Sequence, residues 1–268
     1  METDLSLDRL ELHRQLWQRK PVLEAVYSVW FRLLLEAVAP ARRVLEVGAG
    51  PGFLADYARR AAPETAWTAT DLLPAPWNNV AADAHRLPFG EATFDAVVGL
   101  DFIHHLSGPR QFLLEAARVL RAGGRLAVVE PWVTPLSYPV YRWLHEEGCR
   151  LDLDPWQPFG SRGPADKDAF EGDAAVLWRL VRTSAPAVWF ELGLGPPRVR
   201  PLSGFAYLLS LGFRPASLLP RRLAGWVTRL DRGAACLAPW LGLRALAVWE
   251  KQRVLPADMR RSAAVTSA

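Results

Sequence analysis

Apolar residues along this chain fall into blocks whose spacing switches between the helical and the strand period. Residues 5–19 put Leu5, Leu12 and Leu16 on one helical face, and Pro21 stops the run. Residues 22–38 make a second helix that is apolar on most sides, through Val22, Val26, Tyr27, Trp30, Phe31, Leu34 and Val38. Such a helix either packs on a core or covers a ligand pocket, and both readings stand. A short apolar run over 44–47 then predicts a strand, and 52–61 a helix. A second strand is expected over 67–71, ending on Asp71, and another opens at Asp95. Helix 110–121 leads through Gly123-Gly124 into an apolar strand ending near Glu130. Strands alternating with helices in this way build a parallel sheet.

The second half is less regular. Residues 138–147 look helical, and 148–171 are rich in Pro, Gly, Asp and Trp, as in a loop. A helix over 173–183, a strand near 187–192, a turn over 193–201 and a last strand over 243–250 complete the reading. About 50 residues separate those two strands, so a helical insertion is expected over about 203–242. The domain reading is an N-terminal helical lid or cap over 1–40, a sheet domain over 41–256, and a flexible tail over 257–268.

Composition narrows the class. Half of the 268 residues are apolar, enough for a sizeable core and against disorder. Cys149 and Cys236 lie far apart without metal-site spacing and read as two reduced thiols. The start, Met1-Glu2-Thr3-Asp4, lacks the apolar stretch of a secretory leader, and no apolar run reaches spanning length. A cytoplasmic protein is the expectation. The net charge of +4 hides an asymmetry: from Pro196 onward the balance is +9, and residues 1–195 carry −5. The basic C-terminal part suggests an anionic partner or surface.

Candidate chemistry centres on Glu46-Val47-Gly48-Ala49-Gly50-Pro51-Gly52-Phe53. Glycines allow positive φ and close approach by a ligand. A dinucleotide site would require G-x-G-x-x-G, but Phe53 stands where its last glycine belongs; a P-loop would require a lysine that is absent. Asp71, closing the second strand, sits where ligands bind in open α/β sheets, and its carboxylate can accept both hydroxyls of a ribose. Two further segments match the pattern begun by the glycine loop: Asp83-Ala84-His85-Arg86-Leu87-Pro88-Phe89 with Phe94-Asp95-Ala96-Val97, and Leu120-Arg121-Ala122-Gly123-Gly124. Together the three resemble motifs of the class I S-adenosylmethionine-dependent methyltransferases, in the branch acting on small molecules, lipids and quinone precursors. The resemblance covers roughly residues 40–132, about a third of the chain. Ala122 departs from the family's usual proline.

The resemblance implies a Rossmann-like seven-stranded α/β sheet, mostly parallel with one antiparallel strand and helices on both faces. It implies S-adenosyl-L-methionine as cofactor, held by Glu46, Gly48, Ala49, Gly50, Gly52, Asp71, Leu72, Asp83, Ala84, Leu100 and Asp101. Asp83 would meet the adenine amino group and Ala84 would offer its backbone N–H. A hydroxyl acceptor must lose a proton, and His104 or His105 is the natural base; Glu130, His145 and Glu146 are weaker candidates. Tyr27, Trp30, His105, Glu130 and Trp132 are the expected acceptor pocket. No metal is expected, because the two histidines lack a nearby ligand set in the sequence.

The expected acceptor is a small or lipid-like molecule methylated on oxygen or carbon. Nucleic acid is disfavoured, since Leu100-Asp101-Phe102-Ile103 replaces the [DN]-P-P-[YF] of base methyltransferases. No obligate protein partner is evident. In the insertion, Leu219, Leu223, Trp226 and Leu230 share one helical face, with Arg221, Arg222, Arg229 and Arg232 elsewhere and Trp240 beyond. That pattern fits a peripheral helix on the anionic inner face of a membrane, or an ordinary amphipathic helix packed on its own domain. Two alternatives remain: a non-catalytic binding or assembly module on this fold, and an NAD(P)-dependent oxidoreductase.

Overall fold

The two apolar periods resolve into a seven-stranded sheet covered by helices on both faces. The computed structural model describes residues 2–145, 147–159 and 170–253. Helices α1 (Glu2–Arg19) and α2 (Pro21–Val38) precede β1 (Arg43–Val47), α3 (Phe53–Ala61), β2 (Ala66–Asp71) and β3 (Val80–Ala81). Then come β4 (Phe94–Leu100), α4 (Pro109–Val119) and β5 (Leu120–Pro131). A short α5 (Ser137–Pro139) continues as a π-helical turn, Val140–Leu144, and α6 (Val176–Thr183) and α7 (Pro186–Glu191) follow. The chain closes with β6 (Arg198–Leu202), α8 (Phe205–Ser210), α9 (Arg221–Gly233), α10 (Ala238–Leu241) and β7 (Arg244–Glu250).

The strand order is β3-β2-β1-β4-β5-β7-β6. β7 alone runs against its neighbours β5 and β6; the other pairings are parallel. The chain steps outward from β1 to β3, then crosses back to β4. The carboxyl ends of β1 and β4 therefore flank a topological switch point, where a crevice forms. Side chains alternate faces along each strand. Leu45, Val47, Val97, Leu126, Val128, Ala245, Ala247 and Trp249 pack under α4, α6 and α7. Val44, Ala96, Val98, Ala127, Val129, Leu246 and Val248 pack under α2, α8 and α9.

Several expectations are corrected. Residues 187–192 are helical, not extended: Pro186 opens α7, and Trp189 and Leu192 share a buried face while Phe190 is exposed. The strand lies in the expected turn, as β6. Pro201 is accommodated because β6 is the sheet's edge, where a missing N–H costs no ladder bond. The helix expected over 110–121 ends at Val119, so the glycine pair sits inside β5. A Cβ at Gly124 would lie 2.8 Å from the Arg121 carbonyl oxygen and 2.9 Å from that of Asp95. The pair lets β5 slip register against β4 between Phe94 and Ala96. Helix α6 starts at Val176 rather than 173, and the helical segment after β5 ends at Leu144. Glu146, residues 160–169 of the expected loop and the expected tail lie outside the described residues.

Between β6 and β7 the chain is anchored to the N-terminal helices by one buried cation. Lys20, at the α1–α2 junction, donates to the carbonyls of Gly212 (2.7 Å), Arg214 (2.8 Å) and Ala216 (2.8 Å). All three ammonium donors are used. Lys20→Met keeps the length of the stem but leaves those carbonyls without their donor. It should cost about 2–4 kcal/mol in urea unfolding and open residues 211–218 to protease. Unchanged stability and protection would mean that this tie holds nothing.

Candidate functional site

The glycine loop between β1 and α3 is shaped by what lies under it. Gly48 has φ +68°, and a Cβ there would come within 2.5 Å of Phe102 Cβ. Gly52 has φ +79°, and its Cβ would lie 2.8 Å from Trp77. At Gly50, φ +49°, the nearest atom would be 3.9 Å away. So Gly48 and Gly52 serve the packing beneath the loop, whereas Gly50 faces open space. Four contacts fix the loop: Ala49 N–H to Thr70 O (2.9 Å), Gly50 N–H to Asp71 Oδ2 (2.7 Å), Trp77 Nε1–H to Gly50 O (2.7 Å) and Arg14 Nη1–H to Pro51 O (2.5 Å).

Asp71 ends β2 as expected, and its second oxygen accepts the Leu73 N–H at 2.9 Å. Burial raises its pKa, while backbone N–H bonds oppose the rise. Glu46 is buried on β1, accepts Trp67 Nε1–H at 2.6 Å, and is pushed up to about 8 by burial despite that bond. Asp83, half-exposed, caps the turn after β3 by accepting His85 N–H at 2.8 Å.

The other wall is built at the ends of β4, β5 and β7. Asp101, at φ +52°, follows β4. Its carboxyl is raised to about 6 by burial, an effect the Arg244 guanidinium partly offsets. Arg244 is buried, with Nε 3.3 Å from Asp101 Oδ1 and Nη1 donating to Tyr141 Oη at 3.0 Å. Its guanidinium lies 4.9 Å from the Tyr207 ring centre and 5.5 Å from that of Trp30. Glu130, fully buried at the end of β5, accepts the N–H groups of Phe102 and Ile103, both at 2.8 Å, and bonds His104 Nδ1. The other His104 nitrogen, Nε2, faces Glu147 Oε2 at 3.1 Å, and His105 Nε2 lies 3.6 Å from Glu147 Oε1. Burial opposes a charge on His104, but Glu147 and Glu130 outweigh it and hold its pKa up to about 10. Burial, aided by the His104 charge, pushes His105 down to about 4. His104 is thus committed on both nitrogens, and His105 is the neutral imidazole of the pair.

These walls enclose a cleft of about 510 Å³. Of the residues expected to hold cofactor, Glu46, Gly48, Ala49, Gly50, Asp71, Leu72, Asp83, Ala84, Leu100 and Asp101 line it; Gly52 does not, because Trp77 covers it. Tyr27, His104 and His105 also line it. The expected pocket residues Trp30, Glu130 and Trp132 do not: Trp30 backs Arg244, Glu130 backs His104, and Trp132 is in the core. Sequence reasoning missed Arg244, Glu147, Tyr207, Phe213 and the α1 residues Leu10 and His13, all of which reach the cleft. A cue existed only for Glu147, one residue beyond the candidate Glu146.

The residues present fit a sulfonium nucleoside. Asp71 and Asp83 bring two carboxylates to the glycine-loop side of the cleft, which suits hydroxyls and an amine. Strand order, glycine turn and the acid ending β2 form the Rossmann-like sheet and crevice that the motifs imply. Residues 45–128, roughly a third of the chain, match the family model described as a methyltransferase domain. The chain is 32% identical over 115 residues to the phthiotriol/phenolphthiotriol dimycocerosates methyltransferase of Mycobacterium leprae, covering 38% of this chain and 43% of that protein. It is 32% identical over 123 residues to the ubiquinone/menaquinone biosynthesis C-methyltransferase of Dinoroseobacter shibae, covering 39% and 49%. The match therefore spans less than half the length of these relatives. A chain from the solved complex between the Haloferax volcanii Trm112 methyltransferase activator and a methyltransferase aligns over 94% of this chain and 98% of its own. Its TM-score is 0.53 at 14% identity, a likeness of fold.

The packing under the loop can be tested by two alanines. Gly48→Ala meets both the positive φ and Phe102 and should cost about 3 kcal/mol, while Gly50→Ala meets only the backbone strain, about 1 kcal/mol. Equal losses in urea unfolding would mean that Phe102 does not support the loop.

Proposed function

We propose that this protein moves a methyl group from S-adenosyl-L-methionine to an oxygen or carbon of a small or lipid-linked acceptor. The observation that carries this reading is the shared cleft: the glycine loop with Asp71 on one wall, the histidine–carboxylate cluster on the other. S-adenosyl-L-methionine, when bound there, supplies a methyl group that forms a bond to the acceptor as its bond to sulfur breaks, the electron pair leaving as a neutral thioether. The chain's own task is alignment and exclusion of water, and orientation alone is worth ~7–11 kcal/mol of barrier. Asp71 would hold the ribose hydroxyls, and the open backbone at Gly50 would admit the cofactor. For a hydroxyl acceptor His105 is the side chain placed to receive the proton, because His104 is tied on both sides. The aromatic rim of Tyr27, Phe31, Phe53, Phe170 and Phe213 suits an apolar acceptor body. The names of the relatives, a lipid and a quinone methyltransferase, point the same way.

Calorimetry tests the cofactor assignment. S-adenosyl-L-methionine should bind and NADH should not, and Asp71→Ala should weaken the former about 100-fold, the loss of two charge-assisted hydrogen bonds. Unchanged affinity in that variant would reject the assignment.

The insertion supports a further part of the same reading, contact with an anionic membrane. Among the described residues no helix is long and apolar enough to span a bilayer. Helix α9 packs inward through Ala224 and Thr228, leaving Leu223, Trp226 (60% exposed) and Leu230 outward; Leu218, Leu237 and Trp240 (63% exposed), before and after the helix, are exposed as well. Arg221, Arg222 and Arg229 are exposed on the same helix. An apolar stripe bordered by arginines complements a bilayer carrying negative headgroups. Flotation should recover the protein with phosphatidylglycerol vesicles, less at high salt, and the Trp226→Ala/Leu230→Ala variant should stay behind. Equal recovery on neutral vesicles, or none on either, would remove membrane contact.

A further inference from the structure

Resting on the methyl-transfer reading, this inference concerns what activates the acceptor. We propose that His104 Nε2, His105 Nε2 and the Glu147 carboxylate form a divalent-cation site in the cleft wall, where the cation holds the acceptor oxygen. One ligand atom from each residue falls within a sphere of mutual distances no larger than 4.8 Å. Glu147 Oε2 lies 3.1 Å from His104 Nε2, and its other oxygen, Oε1, lies 3.6 Å from His105 Nε2. Ligands bound at about 2.1 Å stand roughly 3.0–3.5 Å apart, so the three groups draw together slightly around an ion.

Three further observations point to an ion at this place. Glu130 bonds His104 Nδ1 and is itself held by two backbone N–H groups. A carboxylate behind one imidazole nitrogen, with the other nitrogen aimed into a cavity, is how proteins orient a histidine ligand. Glu147 Oε2 is buried 3.1 Å from His104 Nε2, and a dication between those two atoms would take the place of the proton that now pairs them. Finally, Asp101, Glu130 and Glu147 bring three carboxylates together, faced by Arg244 and the His104 imidazolium. A dication bound at His104 Nε2 displaces that ring's second proton and keeps the carboxylates compensated.

Two imidazoles and one carboxylate select a borderline cation of the Zn²⁺, Mn²⁺, Fe²⁺ or Co²⁺ kind over Mg²⁺ or Ca²⁺. Three protein ligands leave coordination positions open to the cleft. The acceptor class that uses them is an oxygen nucleophile, such as a phenol, an enol or a diol. Bound to the cation, its O–H is acidified and the proton leaves to water; the oxygen lone pair then attacks the methyl carbon. With the cation bound, His105 serves as its ligand and water takes the proton; His105 receives the proton only in the ion-free cleft.

The test is a Co²⁺ titration of the chelator-stripped full chain, followed by visible absorption and by calorimetry. One ion per chain should bind with ligand-field bands. Glu147→Gln and His105→Gln should each weaken binding about 100-fold, and Glu130→Gln about 10–100-fold, with S-adenosyl-L-methionine affinity retained. Absence of bands at millimolar Co²⁺ overturns the site. So do bands that survive in both Glu147→Gln and His105→Gln, or that vanish in Cys236→Ser, since Cys236 is an exposed thiol. Failure to bind S-adenosyl-L-methionine with the bands intact would instead remove the methyl-transfer reading and leave the cation site standing.

Discussion

The buried carboxylate of Glu130 is the contact on which the cleft's geometry depends. It takes two backbone N–H groups from the turn after β4 and the Nδ1 of His104. An apolar side chain there would strand both donors, at about 1–3 kcal/mol each. The fixed turn in turn sets Phe102, whose ring fills the space that side chains at Gly48 and Gly99 would occupy, 2.5 Å and 2.1 Å from its atoms. Phe102 packs edge-on against Phe112 of α4, with ring centres 4.9 Å apart. The height of the glycine loop over the sheet, the unusual backbone of Asp101 and the direction of both histidines thus follow from one carboxylate at the end of β5.

Charge is distributed to match. The acids of the cleft come from the first part of the chain, which is net negative, and the buried cation that answers them, Arg244, comes from the basic C-terminal part. Burying a guanidinium requires partners on every side. Asp101, Tyr141 and the faces of Tyr207 and Trp30 provide them. The sheet's single antiparallel strand makes this arrangement possible. β7 runs backwards beside β5, pairing Arg244 with Pro131, so its first residue reaches the edge where the parallel strands place their last.

That reversal also explains what could be read from the sequence and what could not. β1, the glycine turn, α3 and Asp71 were legible because apolar period, glycine punctuation and strand end coincide within a single local segment. Arg244 was not, although its strand was expected, because nothing local says that the first residue of β7 turns its guanidinium to Asp101, more than 140 residues earlier. β6 was missed because the apolar run over 187–192 reads as the strand, whereas the strand itself, Arg198–Leu202, alternates arginines with Val199 and Pro201 at the sheet's edge. Glu130 was recognised as chemistry but assigned to the pocket; nothing local says that its carboxylate turns inward under His104. Glu147 meets the histidines across more than 40 residues of chain, a contact made by folding alone.

Helix α9 carries the most instructive ambiguity. Its sequence has an apolar stripe, and such a stripe ordinarily faces the core. Here Ala224, Thr228 and the half-buried Val227 do the packing, and Leu219, just before the helix, is buried with them. Leu223, Trp226 and Leu230 of the stripe face outward. The same insertion sends Tyr207 and Phe213 into the cleft and is tied by its backbone to Lys20. One segment thus borders the cavity on its inner side and exposes large apolar groups on its outer side. An acceptor with an apolar body approaching from a bilayer would meet those two surfaces in succession, which ties the shape of the insertion to the chemistry of the acceptor.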